Sequence, residues 1–70
     1  MYKAGKLYRD KITGDYLFVV DTVHTFDHIL SKYDVLYYYY YLDKPDDVRD
    51  IFSRELNSEW EEVCALNQET

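Results

Sequence analysis

Alternating apolar and polar residues predict a β-hairpin near the start of the chain. Residues 5–10 (GKLYRD) alternate around Leu7 and predict a short strand. Residues 16–23 (YLFVVDTV) are rich in aromatic and β-branched side chains, which favour a second strand. Gly14, in the turn between them, can adopt positive φ. The face of the second strand that we expect to point into the core comprises Tyr16, Phe18, Val20 and Thr22.

The middle of the chain contains one ambiguous segment and one clear strand. In residues 24–33 the apolar positions fit either a helical stripe or a loop held by a few apolar anchors. Residues 34–43 (DVLYYYYYLD) predict a strand, because five consecutive tyrosines suit a pleated surface. Both faces of this strand are aromatic. We therefore expect both to be covered at least in part, the second by a helix of the same domain or by another copy of the chain.

Apolar residues recur at intervals of three and four after Pro45, and this pattern predicts an amphipathic C-terminal helix. One version is a long helix from about Pro45 to Val63. The other is a short strand at 48–52, followed by a helix that Ser53 caps and that runs to Trp60. Both versions place residues 53–60 in a helix.

Together these elements predict a single α+β domain over residues 1–66, with a frayed tail at 67–70. Its antiparallel sheet would have three or more strands and one C-terminal helix packed against it. At 70 residues the chain is near the lower limit for a domain that folds on one hydrophobic core. The expected core residues are Leu7, Phe18, Val20, Tyr37, Tyr39, Val48, Phe52, Leu56 and Trp60.

The charge of the chain is unevenly distributed. The formal net charge is −6, but the first 32 residues carry +1 and the remaining 38 carry −7. This acidity argues against direct binding of nucleic acid or of an anionic membrane, both of which need clustered Lys and Arg. It favours a basic partner. The alternative is a solvated acidic face that only keeps a small domain soluble.

The acidic side chains concentrate in one segment. On a helix, carboxylates three or four residues apart lie about 5–6 Å from each other, which is comparable to the spacing of successive phosphates in one DNA strand. We therefore expect a row of carboxylates that presents a DNA-like charge pattern, although Arg49 and Arg54 interrupt it. The candidate partner-binding residues are Asp43, Asp46, Asp47, Asp50, Glu55, Glu59, Glu61 and Glu62.

No catalytic, cofactor or metal constellation stands out, so we expect no enzyme activity, no cofactor and no metal. His24 and His28 have the spacing of two ligands on a helix, with Asp27 as a third, but packing or surface roles are the simpler interpretation. Cys64 lies among apolar neighbours, which favours a buried structural thiol. With a single cysteine, no apolar stretch of 18 residues and no signal peptide, we expect a cytoplasmic protein.

The tyrosine run suggests a second kind of surface. Tyrosine is enriched at protein interfaces because it offers a large rigid ring with a polar tip. A nucleobase-stacking platform would need basic flanks, whereas here the flanks are Asp34 and Asp43. We expect one tyrosine face to be core. The other, with Tyr38 and Tyr40, is a candidate homodimer or partner interface.

Two resemblances follow from these residues. The acidic stretch 43–62, with the strand Val35–Leu42, resembles small acidic bacteriophage proteins that inhibit host factors, in particular DNA mimics. The resemblance implies a protein that occupies the DNA-binding surface of a basic host protein, for example an HU-type nucleoid protein, in the host cytoplasm. The segment Gly5–Val20 resembles the first hairpin of SH3-like barrels, which implies the alternative of an SH3-like interaction module that binds through exposed tyrosines.

Overall fold

The computed structural model describes residues 2–63, which form five antiparallel strands in one sheet. Cys64 and the tail predicted at 67–70 lie outside the described residues. The order across the sheet is β4-β3-β2-β1-β5. The strands are β1 (Lys6–Asp10), β2 (Tyr16–Asp27), β3 (Lys32–Tyr41), β4 (Arg49–Phe52) and β5 (Trp60–Glu62), with a 3₁₀ turn at Ser53–Glu55.

The predicted α+β fold with a C-terminal helix is wrong. Between residues 45 and 63 the structure has β4, the 3₁₀ turn and β5. The apolar residues that suggested one helical stripe are divided among these elements, and the successive residues Ile51 and Phe52 of β4 lie on opposite faces of the sheet. This segment is also rich in Asp, Ser and Asn, which are poor helix formers, and neighbouring carboxylates would repel each other on a helix. The short strand of the second version is confirmed as β4.

The first hairpin and the tyrosine strand are confirmed. β1 pairs with β2, and β2 pairs with β3. The ambiguous residues 24–33 are neither a helix nor an anchored loop, because β2 continues to Asp27 and β3 begins at Lys32. Asp27 forms the turn between them by accepting hydrogen bonds from the amides of Ile29 (2.9 Å) and Leu30 (3.4 Å).

The predicted core face of β2 is wrong, and a β-bulge also changes the phase of the strand after Val19. Leu17 and Val19 are fully buried, whereas Val20 is 44% exposed. The pairing with β3 shifts between Val19 and Asp21. This extra residue reverses the phase of the strand, so Thr22 follows Val19 on one face and Asp21 follows Phe18 on the other.

The core lies on the face that carries Leu17 and Val19, which we call the inner face. Three of the predicted core residues, Tyr37, Tyr39 and Trp60, are buried there. Leu56 packs against the core while partly exposed. Leu7, Phe18 and Phe52 are half-buried, and Val48 is exposed because it lies in the loop before β4. The buried apolar and aromatic residues that the sequence did not indicate are Tyr8, Leu17, Val19 and Val35.

The sheet curls around one tryptophan. The strands β4 and β5 are opposite edges of the sheet, yet only residues 53–59 connect them. The Trp60 ring on β5 consequently packs against Tyr39 on β3, at 5.0 Å between ring centroids, and against Tyr2 at 4.9 Å. The β2–β3 hairpin projects beyond this centre, and the molecule measures 45 × 22 × 21 Å.

No helix in the described part of the chain has the length and apolar character needed to span a membrane.

Candidate interaction surface

The opposite face of the sheet, the outer face, carries a group of apolar and aromatic side chains. Cross-strand partners share a face, so the pairs Leu7–Phe18, Phe18–Tyr40 and Leu36–Phe52 all lie on this side. The rings of Phe18 and Tyr40 are 5.7 Å apart. Every member of the group is half-buried. We call it the aromatic patch: Leu7, Phe18, Val23, Leu36, Tyr38, Tyr40 and Phe52.

Two carboxylates flank the centre of this patch. Tyr38 on β3 pairs with Asp21 on β2 and with Asp50 on β4, so the three side chains form one row across the outer face. Asp21 and Asp50 are both exposed, and no Lys or Arg of residues 2–63 forms an ion pair with either. The row Asp21–Tyr38–Asp50 therefore combines a ring with two uncompensated negative charges.

The eight predicted carboxylates do not form the expected row. Three lie in the loop between β3 and β4, one on β4, one in the 3₁₀ turn, one just before β5 and two on β5. Since β4 and β5 are opposite edges of the sheet, the set is divided between two sides of the molecule. In chain order they are Asp43, Asp46 and Asp47, then Asp50, Glu55 and Glu59, and finally Glu61 and Glu62.

Three of these carboxylates are engaged within the chain. Asp47 accepts a hydrogen bond from Arg49 Nε at 3.1 Å, which raises the pKa of Arg49. Glu59 lies 3.5 Å from Lys11 Nζ. Glu55 accepts a hydrogen bond from the Phe52 amide at 3.2 Å and lies 3.8 Å from Arg54. These side chains are exposed, so their ion pairs contribute little stability.

The other five predicted carboxylates form no ion pair with a cation of residues 2–63. Of these, Asp50 belongs to the central row of the outer face and Glu61 is the cross-strand partner of Arg9 on the same face. Asp43 and Asp46 lie in the β3–β4 loop, and Glu62 pairs with Tyr8 at the β5 edge. The structure thus brings Asp50 together with Asp21, a residue that the sequence analysis did not select.

An open cleft of about 230 Å³ lies where the β1–β2 turn meets the β3–β4 loop. Its lining mixes three carboxylates, two cations and a tyrosine, so it presents no single charge. The lining residues are Thr13, Asp15, Tyr41, Asp43, Lys44, Asp47 and Arg49.

Asp10 is one of two carboxylates buried among residues 2–63, and both lie at strand ends. Burial raises its pKa, but hydrogen bonds from the amides of Ile12 and Thr13 and from the hydroxyls of Tyr41 and Ser58 outweigh it, so the net pKa is lowered. Asp10 Oδ2 accepts a hydrogen bond from the Tyr41 hydroxyl at 3.1 Å and another from Ser58 Oγ at 3.2 Å. Asp10 thus ties the first turn to β3 and to the segment before β5.

Asp27 is the second buried carboxylate, at the end of β2. The hydrogen bond from Arg54 lowers its pKa most, and the amides of Ile29 and Leu30 add to the effect. Arg54 Nε donates to Oδ2 and Arg54 Nη2 to Oδ1, the latter at 3.3 Å. The 3₁₀ turn is therefore held against the β2–β3 hairpin, and these acidic side chains serve the fold.

The inner tyrosines are shielded from water. Burial raises the pKa of Tyr37 and Tyr39, and burial together with the Asp10 carboxylate raises the pKa of Tyr41 to about 12. The predicted interface residues Tyr38 and Tyr40 lie on the outer face instead, half-buried within the aromatic patch. Alternation along β3 thus separates a core set of tyrosines from a surface set.

Within residues 2–63, no group of three or more His, Cys, Asp or Glu side chains is arranged to hold a metal ion. The sequence offered Asp27 as a third metal ligand beside His24 and His28, but its carboxylate instead accepts a hydrogen bond from Arg54. No protein-family model, curated protein or solved structure matches the chain.

Proposed function

We propose that this chain is a cytoplasmic inhibitor that binds a basic, DNA-binding protein and covers the surface with which that protein holds DNA. The observation that carries the proposal is the row Asp21–Tyr38–Asp50, in which two exposed carboxylates that form no ion pair with residues 2–63 flank a half-buried ring. The proposal keeps the basic partner that the charge of the sequence indicates, and it replaces the helical row of carboxylates with the outer face of the sheet.

The row suits an arginine side chain of the partner. A guanidinium can stack on the face of a tyrosine ring while its N–H groups donate to carboxylates at the sides. Such charge-assisted hydrogen bonds are stronger than neutral ones. The surrounding aromatic patch supplies apolar area for the uncharged parts of the contact, including the stems of long basic side chains.

The net charge of −6 supports competition with DNA. A partner that normally binds phosphates has clustered Lys and Arg, and an acidic protein is drawn to that cluster by long-range attraction. Glu61 and Glu62 add to this attraction from β5. Binding should therefore weaken steeply as salt increases.

A second candidate function rests on the aromatic patch itself. Seven apolar and aromatic side chains share one half-buried face, with Tyr38 and Tyr40 at its centre. An interaction module that binds through exposed tyrosines, the alternative function raised by the sequence, would use this area without the carboxylates. Such an interface should respond little to salt, because apolar burial does not depend on charge screening.

A pull-down from bacterial lysate tests the proposal and separates the two candidates. The tagged protein is compared with the double variant Asp21→Asn/Asp50→Asn and with a matched control, Asp43→Asn/Asp46→Asn, which makes the same charge change in the β3–β4 loop. Each is washed at about 50 and at about 200 mM salt, the range over which phosphate-binding surfaces lose orders of magnitude in affinity. Circular dichroism verifies that the variants are folded.

We expect the wild type and the loop control to retain a basic DNA-binding protein at low salt and to release it at high salt or with added duplex DNA. The outer-face variant should retain little of it. A third variant, Tyr38→Ser/Tyr40→Ser, tests the aromatic patch. If the partner is retained at high salt and only this variant loses it, the aromatic interface is favoured. Equal retention by all variants, or capture of no nucleic-acid-binding protein, would refute the inhibitor proposal.

A further inference from the structure

The distal half of β2 has an unpaired edge. On one side β2 pairs with β3 along almost its whole length, but on the other side β1 covers it only as far as Val19. The hydrogen bond from the Gly5 amide to the Val19 carbonyl, at 2.8 Å, is the last on that side. Among residues 2–63 no other strand pairs with the β2 edge from Asp21 to Asp27.

Two side-chain hydrogen bonds show which backbone groups face this edge. The Thr22 amide donates to Asp21 Oδ1 at 2.9 Å, and the Val35 amide donates to Asp34 Oδ1 at 2.8 Å. Neither amide therefore belongs to the β2–β3 ladder. Val35 pairs with His24, and the ladder alternates between bonded and non-bonded pairs. The amides and carbonyls of His24 and Phe26 consequently point away from β3, towards the open edge.

Between Thr22 and Phe26 the open edge has none of the usual protection against pairing. Natural proteins blunt exposed strand edges with lysine, proline, bulges or very short strands. The segment 22–26 (TVHTF) contains no Lys, Arg, Asp, Glu, Pro or Gly, and it is composed largely of strand-forming residues. The bulge in β2 lies before this segment.

The end of the same hairpin also exposes an unusual amount of apolar surface. Phe26 is 38% exposed, Leu30 41%, Tyr33 73% and Ile29 77%. The Phe26 ring contacts the rings of His28 and Tyr33 at 5.0 and 5.5 Å between centroids. A cluster of exposed apolar side chains beside an open strand edge is typical of an interaction site.

We propose that two copies of the chain associate edge to edge through the distal halves of their β2 strands, antiparallel, with His24 on the two-fold axis. Thr22 of each copy then lies opposite Phe26 of the other. The outward-facing amides and carbonyls of His24 and Phe26 form hydrogen bonds across the junction. The Thr22 amide exchanges its hydrogen bond to Asp21 for one to Phe26 of the other copy. The two sheets become one continuous sheet with both outer faces on the same side.

Charge favours a second copy as the occupant of this edge. Copies of a protein with net charge −6 repel each other over most of their surfaces. The stretch 22–33 contains one acidic residue, Asp27, which Arg54 neutralises, and one basic residue, Lys32. In the proposed register Asp21 lies opposite Asp27 of the other copy, whose charge is already balanced. This end is where two acidic copies can approach at the least electrostatic cost.

Sedimentation velocity over a range of protein concentrations tests the proposal. The variants are His24→Lys, which places a charge on the two-fold axis, and Val48→Lys, which places one at an exposed position in the β3–β4 loop. Tyr40→Ser tests the outer face as the dimer interface instead. Circular dichroism verifies the fold of each variant, and amide hydrogen exchange of His24 and Phe26 gives a second measurement on the unmodified chain.

We expect a concentration-dependent dimer for the wild type, for Val48→Lys and for Tyr40→Ser, and at least a tenfold weaker dimer for His24→Lys. Exchange at the amides of His24 and Phe26 should slow as the concentration rises. A monomeric wild type at every concentration overturns the proposal and leaves the edge for the strand of another protein. A dimer lost in Tyr40→Ser but kept in His24→Lys assigns the interface to the outer face.

Discussion

The two faces of β3 use the same residue for different purposes. Tyr37 and Tyr39 are buried on the inner face around Trp60, whereas Tyr38 and Tyr40 lie half-buried on the outer face, Tyr38 between Asp21 and Asp50 and Tyr40 beside Phe18. All four residues are tyrosines, so the difference arises from what covers each face. The curl of the sheet encloses the inner tyrosines and leaves the outer ones available to a partner.

The most direct way to break this comparison is to truncate neighbouring tyrosines on opposite faces. Tyr39→Ala should lower the free energy of unfolding by about 3–5 kcal/mol, because it removes a buried ring that packs against Trp60. Tyr40→Ala loses mainly its contact with Phe18 and should cost about 1 kcal/mol. Urea unfolding followed by far-ultraviolet circular dichroism measures both. Equal losses would show that the two faces are not energetically distinct.

High pH should distinguish the faces without any substitution. The raised pKa values of Tyr37, Tyr39 and Tyr41 mean that the fold favours their neutral forms. Their contribution to stability is complete below pH 10 and is lost as the pH rises towards about 12, the pKa of Tyr41.

A pH titration of tyrosinate absorbance, run in parallel with circular dichroism, measures this effect. Part of the ionisation should coincide with loss of structure above pH 10. Complete ionisation of all nine tyrosines in a protein that stays folded would contradict the burial of the inner set.

Low pH sharpens the comparison between the two buried carboxylates. Both Asp10 and Asp27 have pKa values lowered from 3.8, so each stabilises the fold above that pH and loses its contribution as the pH falls below it. The melting temperature of the wild type should drop in this range. It should drop less in Asp10→Asn and in Asp27→Asn, because each substitution removes one of the groups that titrate.

At neutral pH the same two variants should differ. Asp27→Asn leaves Arg54 without its counter-charge, whereas Asp10→Asn faces the hydroxyls of Tyr41 and Ser58, which can turn to accept hydrogen bonds. We expect the lower melting temperature for Asp27→Asn. The reverse order would indicate that the Asp10 network is the more important of the two.

The sequence predicted the strands better than their faces. The first hairpin and β3 followed from alternation and strand propensity, and Tyr37, Tyr39 and Trp60 were identified as core. The bulge after Val19 was not predictable, because a single added residue reverses the strand phase without a distinctive residue pattern. The C-terminal helix was predicted from apolar spacing, with Pro45 or Ser53 as its start, but a strand, a 3₁₀ turn and a second strand accommodate the same apolar positions.

The candidate site was predicted only in part. Asp50, Tyr38 and Tyr40 were selected from the sequence, but Asp21 was not. Its place beside Tyr38 depends on the bulge and on the β2–β3 register, which are tertiary features. Asp10 and Asp27 could have been noticed at the sequence level, since an Asp that ends a strand commonly binds the amides of the turn that follows.

The most direct test of the outer face as the recognition surface is an NMR titration with an arginine-rich peptide, observing tyrosine ring and backbone amide signals. The account predicts saturable, salt-reversible shifts at Tyr38, Tyr40, Asp21 and Asp50, with the rings of Tyr37 and Tyr39 unaffected. Shifts centred on Asp43, Asp46 and the β5 edge, or no saturable shifts at low salt, would contradict it.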